Sequence, residues 1–148
     1  LRIAPKVRVR SRVVDVVAEH NRTVARQGYV ALGKFGARLG PNVHHILGQH
    51  VSRHDQPRIY LVHKSAADFV AVSAIIDALT PKPLPLEYRD GIPDYYAHMD
   101  PPPSDWFILR EPLLPTPLSN LELVSSGRNA CLVMAECRTA SMLVREGV

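Results

Sequence analysis

The chain has 148 residues, 46% of them hydrophobic, and a formal net charge of +4 at pH 7. That length allows one core of ordinary size, so we expect one domain, or one domain with a long extension. Two cysteines are too few for the disulfide framework of a small secreted protein, and no apolar run reaches the roughly 20 residues of a membrane-spanning helix.

The net charge conceals a division of the chain into a basic first half and an acidic second half. Residues 1–64 hold 12 lysine and arginine residues and three acidic residues, whereas residues 65–148 hold six basic and 11 acidic residues. An excess of positive charge favours contact with a polyanion, most directly nucleic acid. The alternative is that these are ordinary surface charges, which the acidic second half balances.

The first residues form a basic, acid-free stretch, which we interpret as an arm over residues 1–10. Its arginine-rich composition is typical of the region around an organellar transit peptide, so we expect a mitochondrial protein. A disordered basic arm is the alternative. Alternation of basic residues with Val7 and Val9 suits an extended segment laid along a nucleic-acid backbone.

Apolar spacing and turn residues predict a run of helices and short strands after this arm. Proline is favoured in a first helical turn, so Gly40-Pro41 predicts the start of a helix. The predicted elements are a helix over residues 11–26 ending at Gly28, an extended step over 28–32, a helix over 33–39, a helix from Gly40-Pro41 to Val51, a turn over 52–57 and a strand over 58–62.

This order of elements is typical of a winged-helix module, whose third helix and wing usually contact nucleic acid. With the sequence GYVALGKFGARL at residues 28–39, the segment 11–64 resembles the small winged helices of the LOTUS (OST-HTH) type. The resemblance implies binding of RNA or of a partner protein. Tyr29 and Tyr60 either stack on bases or pack in the core.

Ser65 as a helix cap, with Asp68 three residues later, predicts a further helix over residues 65–79, which completes a domain over 11–80. Ten of the 13 prolines then lie between Pro81 and Pro117, alternating with large apolar residues. A disordered linker would lack such residues, so we expect an extended segment over 81–118 that packs across its own domain or docks on a partner protein. The candidate docking residues are Leu84, Leu86, Tyr95, Tyr96, Trp106 and Phe107.

The last segment, residues 119–148, predicts a strand over 121–124, a turn over 125–129 and a helix over 130–144, with a β-hairpin as the alternative. The whole pattern indicates an α+β fold: a small winged-helix-like module, a following helix, a long proline-rich extended segment and a C-terminal helical segment.

The sequence contains no recognisable catalytic constellation. His50 and His54 have the spacing of a two-histidine zinc site, but only Asp55 lies near as a third ligand, so we expect histidines that face solvent or phosphate. Cys131 and Cys137 lie in an apolar run that favours core packing. We therefore predict no catalytic residue, no metal and no cofactor.

The basic side chains are the better functional candidates. We expect a non-catalytic subunit of a large organellar ribonucleoprotein, such as a mitochondrial ribosome, its assembly intermediate or an RNA-processing complex, with the basic half on RNA and the proline-rich half on protein. The alternative is an accessory structural subunit of a respiratory or other mitochondrial complex without nucleic acid. The candidate nucleic-acid-binding residues are Lys6, Arg8, Arg10, Arg12, Lys34, Arg38, Arg53, Arg58 and Lys64.

Overall fold

The computed structural model describes residues 1–81, 83–136 and 141–147, and the chain divides into two compact units. Mixed helices and strands confirm the predicted α+β class. No helix in the described residues is long and apolar enough to cross a membrane. Unit one comprises Leu1–Ala4, Tyr60–Ser73 and Leu114–Val148, and unit two comprises Pro5–Ile59 and Ala74–Leu113.

The elements follow one another in a mixed order along the chain. The helices are α1 (Val16–Gln27), α2 (Pro41–Ser52) and α3 (Ala130–Glu136), and two 3-10 turns cover Leu86–Gly91 and Asp94–His98. The strands are β1 (Lys6–Val9), β2 (Arg12–Asp15), β3 (Val30–Lys34), β4 (Arg58–Ser65), β5 (Asp68–Ile75), β6 (Ala78–Pro81), β7 (Asp105–Leu109), β8 (Leu114–Pro115), β9 (Leu121–Leu123) and β10 (Val144–Glu146).

Unit two is built around the antiparallel sheet β3-β7-β6, with β7 in the centre. All five residues of β7 are buried, as expected for a central strand covered on both faces. The antiparallel hairpin β1-β2 adds its valines to the same core. The core comprises Val9, Val14, Ala31, Leu84, Tyr95, Tyr96, Trp106 and Ile108.

Unit one contains the sheet β4-β5-β8, apart from the ends of β4 and β5 that belong to unit two, and the antiparallel pair β9-β10. Its first residues lie along β4, where the Ile3 amide donates to the Val62 carbonyl at 2.9 Å. Residues 1–10 are therefore folded rather than a free arm, since Lys6–Val9 form β1. The core comprises Val62, Ala71, Leu118, Leu121, Ala130 and Met134.

The first helix begins later than its apolar spacing predicts. Residues 12–15 form β2, and Asp15 caps α1 by accepting a hydrogen bond from the Ala18 amide at 3.0 Å. A carboxylate at the N-cap satisfies a helix amide that would otherwise lack a partner, so Asp15 sets the start of the helix. The predicted end is confirmed, because Gly28 closes α1 in the left-handed region with φ 83°.

The predicted helix over 33–39 is wrong. Gly33 and Lys34 complete β3, and residues 35–40 form a loop in which Gly36 has φ 87°. Gly33 must remain in the strand without a side chain, because a Cβ there would lie 2.5 Å from Pro103 Cγ. The helix that follows, α2, begins at Pro41 as predicted and ends at Ser52.

The predicted helix over 65–79 is also wrong. Residues 58–65 form β4, which extends the predicted strand, and the chain then turns through Ala66 with φ 53° into β5. Along β5 the side chains of Phe69, Ala71 and Ser73 are more buried than Asp68, Val70 and Val72. Such alternation with period two is that of a strand with one covered face.

The proline-rich segment does not stand apart as an extended docking arm. Residues 84–109 supply two 3-10 turns and the central strand β7 of unit two. Prolines at positions 85 and 93 precede the two turns, where a fixed φ suits the start of a helical turn.

The C-terminal segment combines both alternatives. Strand β9 and helix α3 are present, but α3 ends at Glu136 among the described residues, and residues 137–140 lie outside them. Val144 lies in β10 rather than in a helix, and β10 pairs antiparallel with β9. The predicted helix to 144 is therefore wrong at its end.

A buried polar chain crosses the core of unit two. His20 is 1% exposed; its Nδ1 donates to the Val16 carbonyl at 2.7 Å, which leaves Nε2 to accept from the Tyr96 hydroxyl at 2.8 Å. The Tyr96 oxygen in turn accepts from the Gly33 amide at 3.1 Å. Burial lowers the pKa of His20 below 6.5, despite the opposing effects of the Val16 carbonyl and Glu19, and burial raises that of Tyr96. Both side chains are therefore neutral at pH 7.

Replacing Tyr96 by phenylalanine should destabilise unit two. The change leaves the Gly33 amide and His20 Nε2 without their shared partner, at a cost of about 2 kcal/mol or more. Urea unfolding measures this loss. Tyr88→Phe removes a hydroxyl from a half-buried tyrosine and should change the free energy of unfolding by less than about 0.5 kcal/mol. Equal effects of the two variants would contradict the role assigned to the Tyr96 hydroxyl.

Acid should destabilise the protein through His20. Since its folded pKa is lowered, the unfolded chain binds more protons once the pH falls below 6.5, and the free energy of unfolding then falls with pH. The expected slope from this residue is at most about 1.4 kcal/mol per pH unit.

Urea unfolding across a pH series, on the wild type and on His20→Asn, measures this slope. The wild type should be the more stable protein at neutral pH, and its advantage should shrink as the pH falls. An advantage that stays constant with pH would show that His20 is not held neutral in the folded state.

Candidate nucleic-acid interface

The charge division of the sequence is not a division between the two units. Unit two contains residues 5–59, a segment of net positive charge, together with residues 74–113, a segment of net negative charge. Eight of the nine candidate nucleic-acid-binding residues lie in unit two, and Lys64 lies in unit one. A nucleic-acid interface formed by these candidates would therefore lie mostly on the surface of unit two.

The hairpin β1-β2 has one apolar face and one polar face. Directly paired residues of an antiparallel hairpin lie on the same face, and Val7 pairs with Val14 on the side that enters the core. Lys6 pairs with Asp15 and Arg8 pairs with Val13, so these four lie on the opposite face. Val13 is 54% exposed, which places this face in solvent.

Two further arginines lie at the end of the hairpin. Arg10 occupies the two-residue turn with φ 56°, an uncommon value for a residue with a side chain, and it is exposed. Arg12 is exposed and lies 3.9 Å from Glu19, a separation that leaves only a weak ion pair. The four basic residues of the hairpin are thus all in contact with solvent.

Lys34 does not belong to this surface. It is 5% exposed, and its ammonium donates a hydrogen bond to the Ala37 carbonyl within the same loop. The expectation of direct nucleic-acid contact at Lys34 is corrected, because its charge is buried and already bound by protein.

The remaining candidates are exposed but scattered over several elements. Arg38 lies in the loop 35–40, Arg53 closes α2 as its C-terminal cap, and Arg58 begins β4. Lys64 lies near the end of β4, in unit one. The structure keeps these side chains at the surface, where a phosphate could reach them.

Four of the six histidines of the first half lie on α2 or just after it, while His20 is buried in α1 and His63 lies in β4. His50 Nδ1 lies 2.9 Å from Asp55 Oδ2, and His54 lies beyond the helix end with φ 57°. An open depression of about 390 Å³ is lined by His44, His45, Gly48, Gln49, Ser52 and Arg53. In the described residues no three histidine, cysteine or acidic side chains are grouped to hold a metal ion.

The candidate docking residues are mostly in the core. Burial inside unit two removes them from any partner surface, apart from Leu86, which is 76% exposed. The buried ones are Leu84, Tyr95, Tyr96, Trp106 and Phe107. Their large apolar area stabilises unit two, which corrects the expectation that they dock on another protein.

The two tyrosines proposed to stack on bases have partners within the protein. Tyr29 donates from its hydroxyl to the Glu87 carbonyl at 3.1 Å, and its ring packs edge-on against Tyr88. Tyr60 packs against the core of unit one.

Cys131 is half-buried, and burial raises the pKa of its thiol, while Cys137 lies outside the described residues.

Sequence reasoning missed Asp105 and Ser104. Asp105 is 1% exposed, and its carboxylate accepts from the Leu39 amide at 3.0 Å and lies 3.1 Å from the Ser104 hydroxyl. The sequence DWFIL could have indicated this arrangement. A charged residue at the start of a buried apolar strand needs hydrogen-bond partners nearby.

Comparison of the chain with protein-family models, with curated proteins and with solved structures finds no match. The resemblance to LOTUS winged helices therefore stays a prediction.

Proposed function

We propose that this chain is a non-catalytic, RNA-binding subunit of a mitochondrial ribonucleoprotein assembly. The observation that carries the proposal is the solvent face and turn of hairpin β1-β2, where Lys6, Arg8 and Arg10 are exposed. Its opposite face is anchored in a core, so the basic side chains extend from a fixed support.

The chemistry of this hairpin suits a phosphate backbone. Lysine and arginine gain affinity for nucleic acid by releasing the counterions condensed on it, without reading sequence. Asp15, the acidic residue on the same face, accepts a hydrogen bond from the Ala18 amide at the start of α1. Its negative charge is thereby stabilised at the positive end of a helix, away from the turn.

Protein contacts within such an assembly would use exposed apolar side chains rather than the predicted docking set. Leu86 on unit two and Leu132 and Leu114 on unit one are 76%, 63% and 57% exposed. Exposed leucines are also the observation that favours the alternative, an accessory structural subunit of a mitochondrial complex that contains no nucleic acid.

Binding to a single-stranded RNA of mixed sequence should weaken as salt rises. Changing Arg8, Arg10 and Arg12 together to glutamine should reduce the slope of log affinity against log salt by about 2, since each phosphate contact on a single strand contributes about 0.7. Fluorescence anisotropy with a labelled RNA measures the slope.

A matched control removes three exposed arginines of the same unit that lie outside the hairpin. Changing Arg22, Arg26 and Arg89 to glutamine lowers the net charge equally and should leave the slope within error of the wild type. If the two triple variants lose the same slope, net charge rather than the hairpin accounts for the binding.

Sedimentation of the endogenous protein separates the proposal from its alternative. In gently lysed cells the protein should run in a large particle that RNase or high salt disperses. A large particle that resists both treatments would favour a protein-only complex, and a free small protein would contradict both roles.

A further inference from the structure

We propose that the loop over residues 35–40 is a preorganised nucleic-acid contact, in which Arg38 binds a phosphate and the buried residues Lys34 and Asp105 are positioning residues. This inference rests on the proposed function, and it assigns to Lys34 a different role from the direct contact that the sequence predicts. Both charged groups act through backbone atoms of the loop.

Lys34 holds the loop from inside. Its ammonium donates to the Ala37 carbonyl, one residue before Arg38. Its own carbonyl accepts from the Ser104 amide at 2.8 Å and lies 3.1 Å from the Ser104 hydroxyl. Position 34 therefore binds the loop through its side chain and the opposite strand through its backbone.

Asp105 holds the loop from the other side. It lies directly opposite Lys34 in the β3-β7 register, and its carboxylate accepts from the Leu39 amide, one residue after Arg38. The backbone atoms on both sides of Arg38 are thus bound to buried charged groups, whereas the Arg38 side chain is exposed. Gly36, with φ 87°, allows the turn that brings Ala37 back toward Lys34.

The energetic cost of this arrangement points to a role beyond connection. A buried lysine and a buried aspartate each lose hydration worth several kcal/mol, which their attraction across the β3-β7 pair and their hydrogen bonds to the loop must offset. A connecting loop without a function needs no such support, because surface loops tolerate mobility at little cost to stability. A loop that must present one arginine in a fixed place benefits, since less conformational entropy is lost on binding.

A double-mutant cycle on RNA binding tests the inference. Arg38→Gln should weaken binding about fivefold at low salt and reduce the salt slope by about 0.7. Lys34→Met should weaken binding to a similar extent, although the methionine lies where no phosphate can reach it. In the Lys34→Met background, Arg38→Gln should cause little further loss, because the arginine is no longer held in place.

Additive losses in the cycle would show that Lys34 acts only through general stability and would overturn its positioning role. An unchanged affinity for Arg38→Gln would overturn the contact itself. Arg26→Gln, at an exposed arginine in the last turn of α1, is the matched control and should retain wild-type affinity.

A second variant keeps the test valid if Lys34→Met does not fold. Ser104→Ala removes the hydroxyl that lies 3.1 Å from both the Lys34 carbonyl and Asp105 Oδ2, and it should show the same coupling to Arg38.

The hairpin triple variant separates the two proposals. If it loses affinity while the Arg38 variant does not, the loop inference alone fails; a wild type that binds no RNA overturns both.

Discussion

The architecture of unit two depends most on the two hydrogen bonds that the Tyr96 hydroxyl makes. This hydroxyl joins three elements that are distant in sequence, since it donates to His20 of α1 and accepts from Gly33 of β3 while it belongs to a 3-10 turn. The donors and acceptors match only if His20 is neutral with its hydrogen on Nδ1, and the Val16 carbonyl selects that form. A buried network in which every member is satisfied fixes one arrangement of the elements around it.

Strand β3 links the Tyr96 hydrogen bonds to the candidate interface, because it contains both Gly33 and Lys34. Gly33 is packed against Tyr96 and Pro103, and the next residue, Lys34, binds the loop that contains Arg38. Residues 103–105, just before and at the start of β7, contribute from the other side, because Pro103 packs on Gly33 while Ser104 binds Lys34 and Asp105 binds the loop. Packing in the core and presentation of a surface arginine are therefore coupled through two adjacent residues.

Local signals in the sequence were sufficient where a single residue decides the backbone. Gly28 ends α1 and Pro41 begins α2 as predicted, since each has a conformational preference that needs no distant partner. The spacing of Phe69, Val72 and Ile76 also fits a helix, so periodicity misassigned a segment that is held as a strand between β4, which directly precedes it, and the distant β8. The composition around Lys34 favoured a surface cation. Its burial could not be predicted locally, because the residues that pack beside it, Asp105 and Ser104, lie some 70 residues away in sequence.

One acidic residue of the second half, Asp105, has a local role in addition to its share of the overall charge. The hairpin residues Lys6, Arg8 and Arg10 are exposed to solvent. Asp105 uses its charge on the backbone amide of Leu39, where it fixes a loop without reaching the Arg38 guanidinium. A buried carboxylate that orders the backbone and exposed basic side chains are compatible in one unit, because the carboxylate is held by hydrogen bonds from the Leu39 amide and the Ser104 hydroxyl, whereas solvent screens the exposed charges.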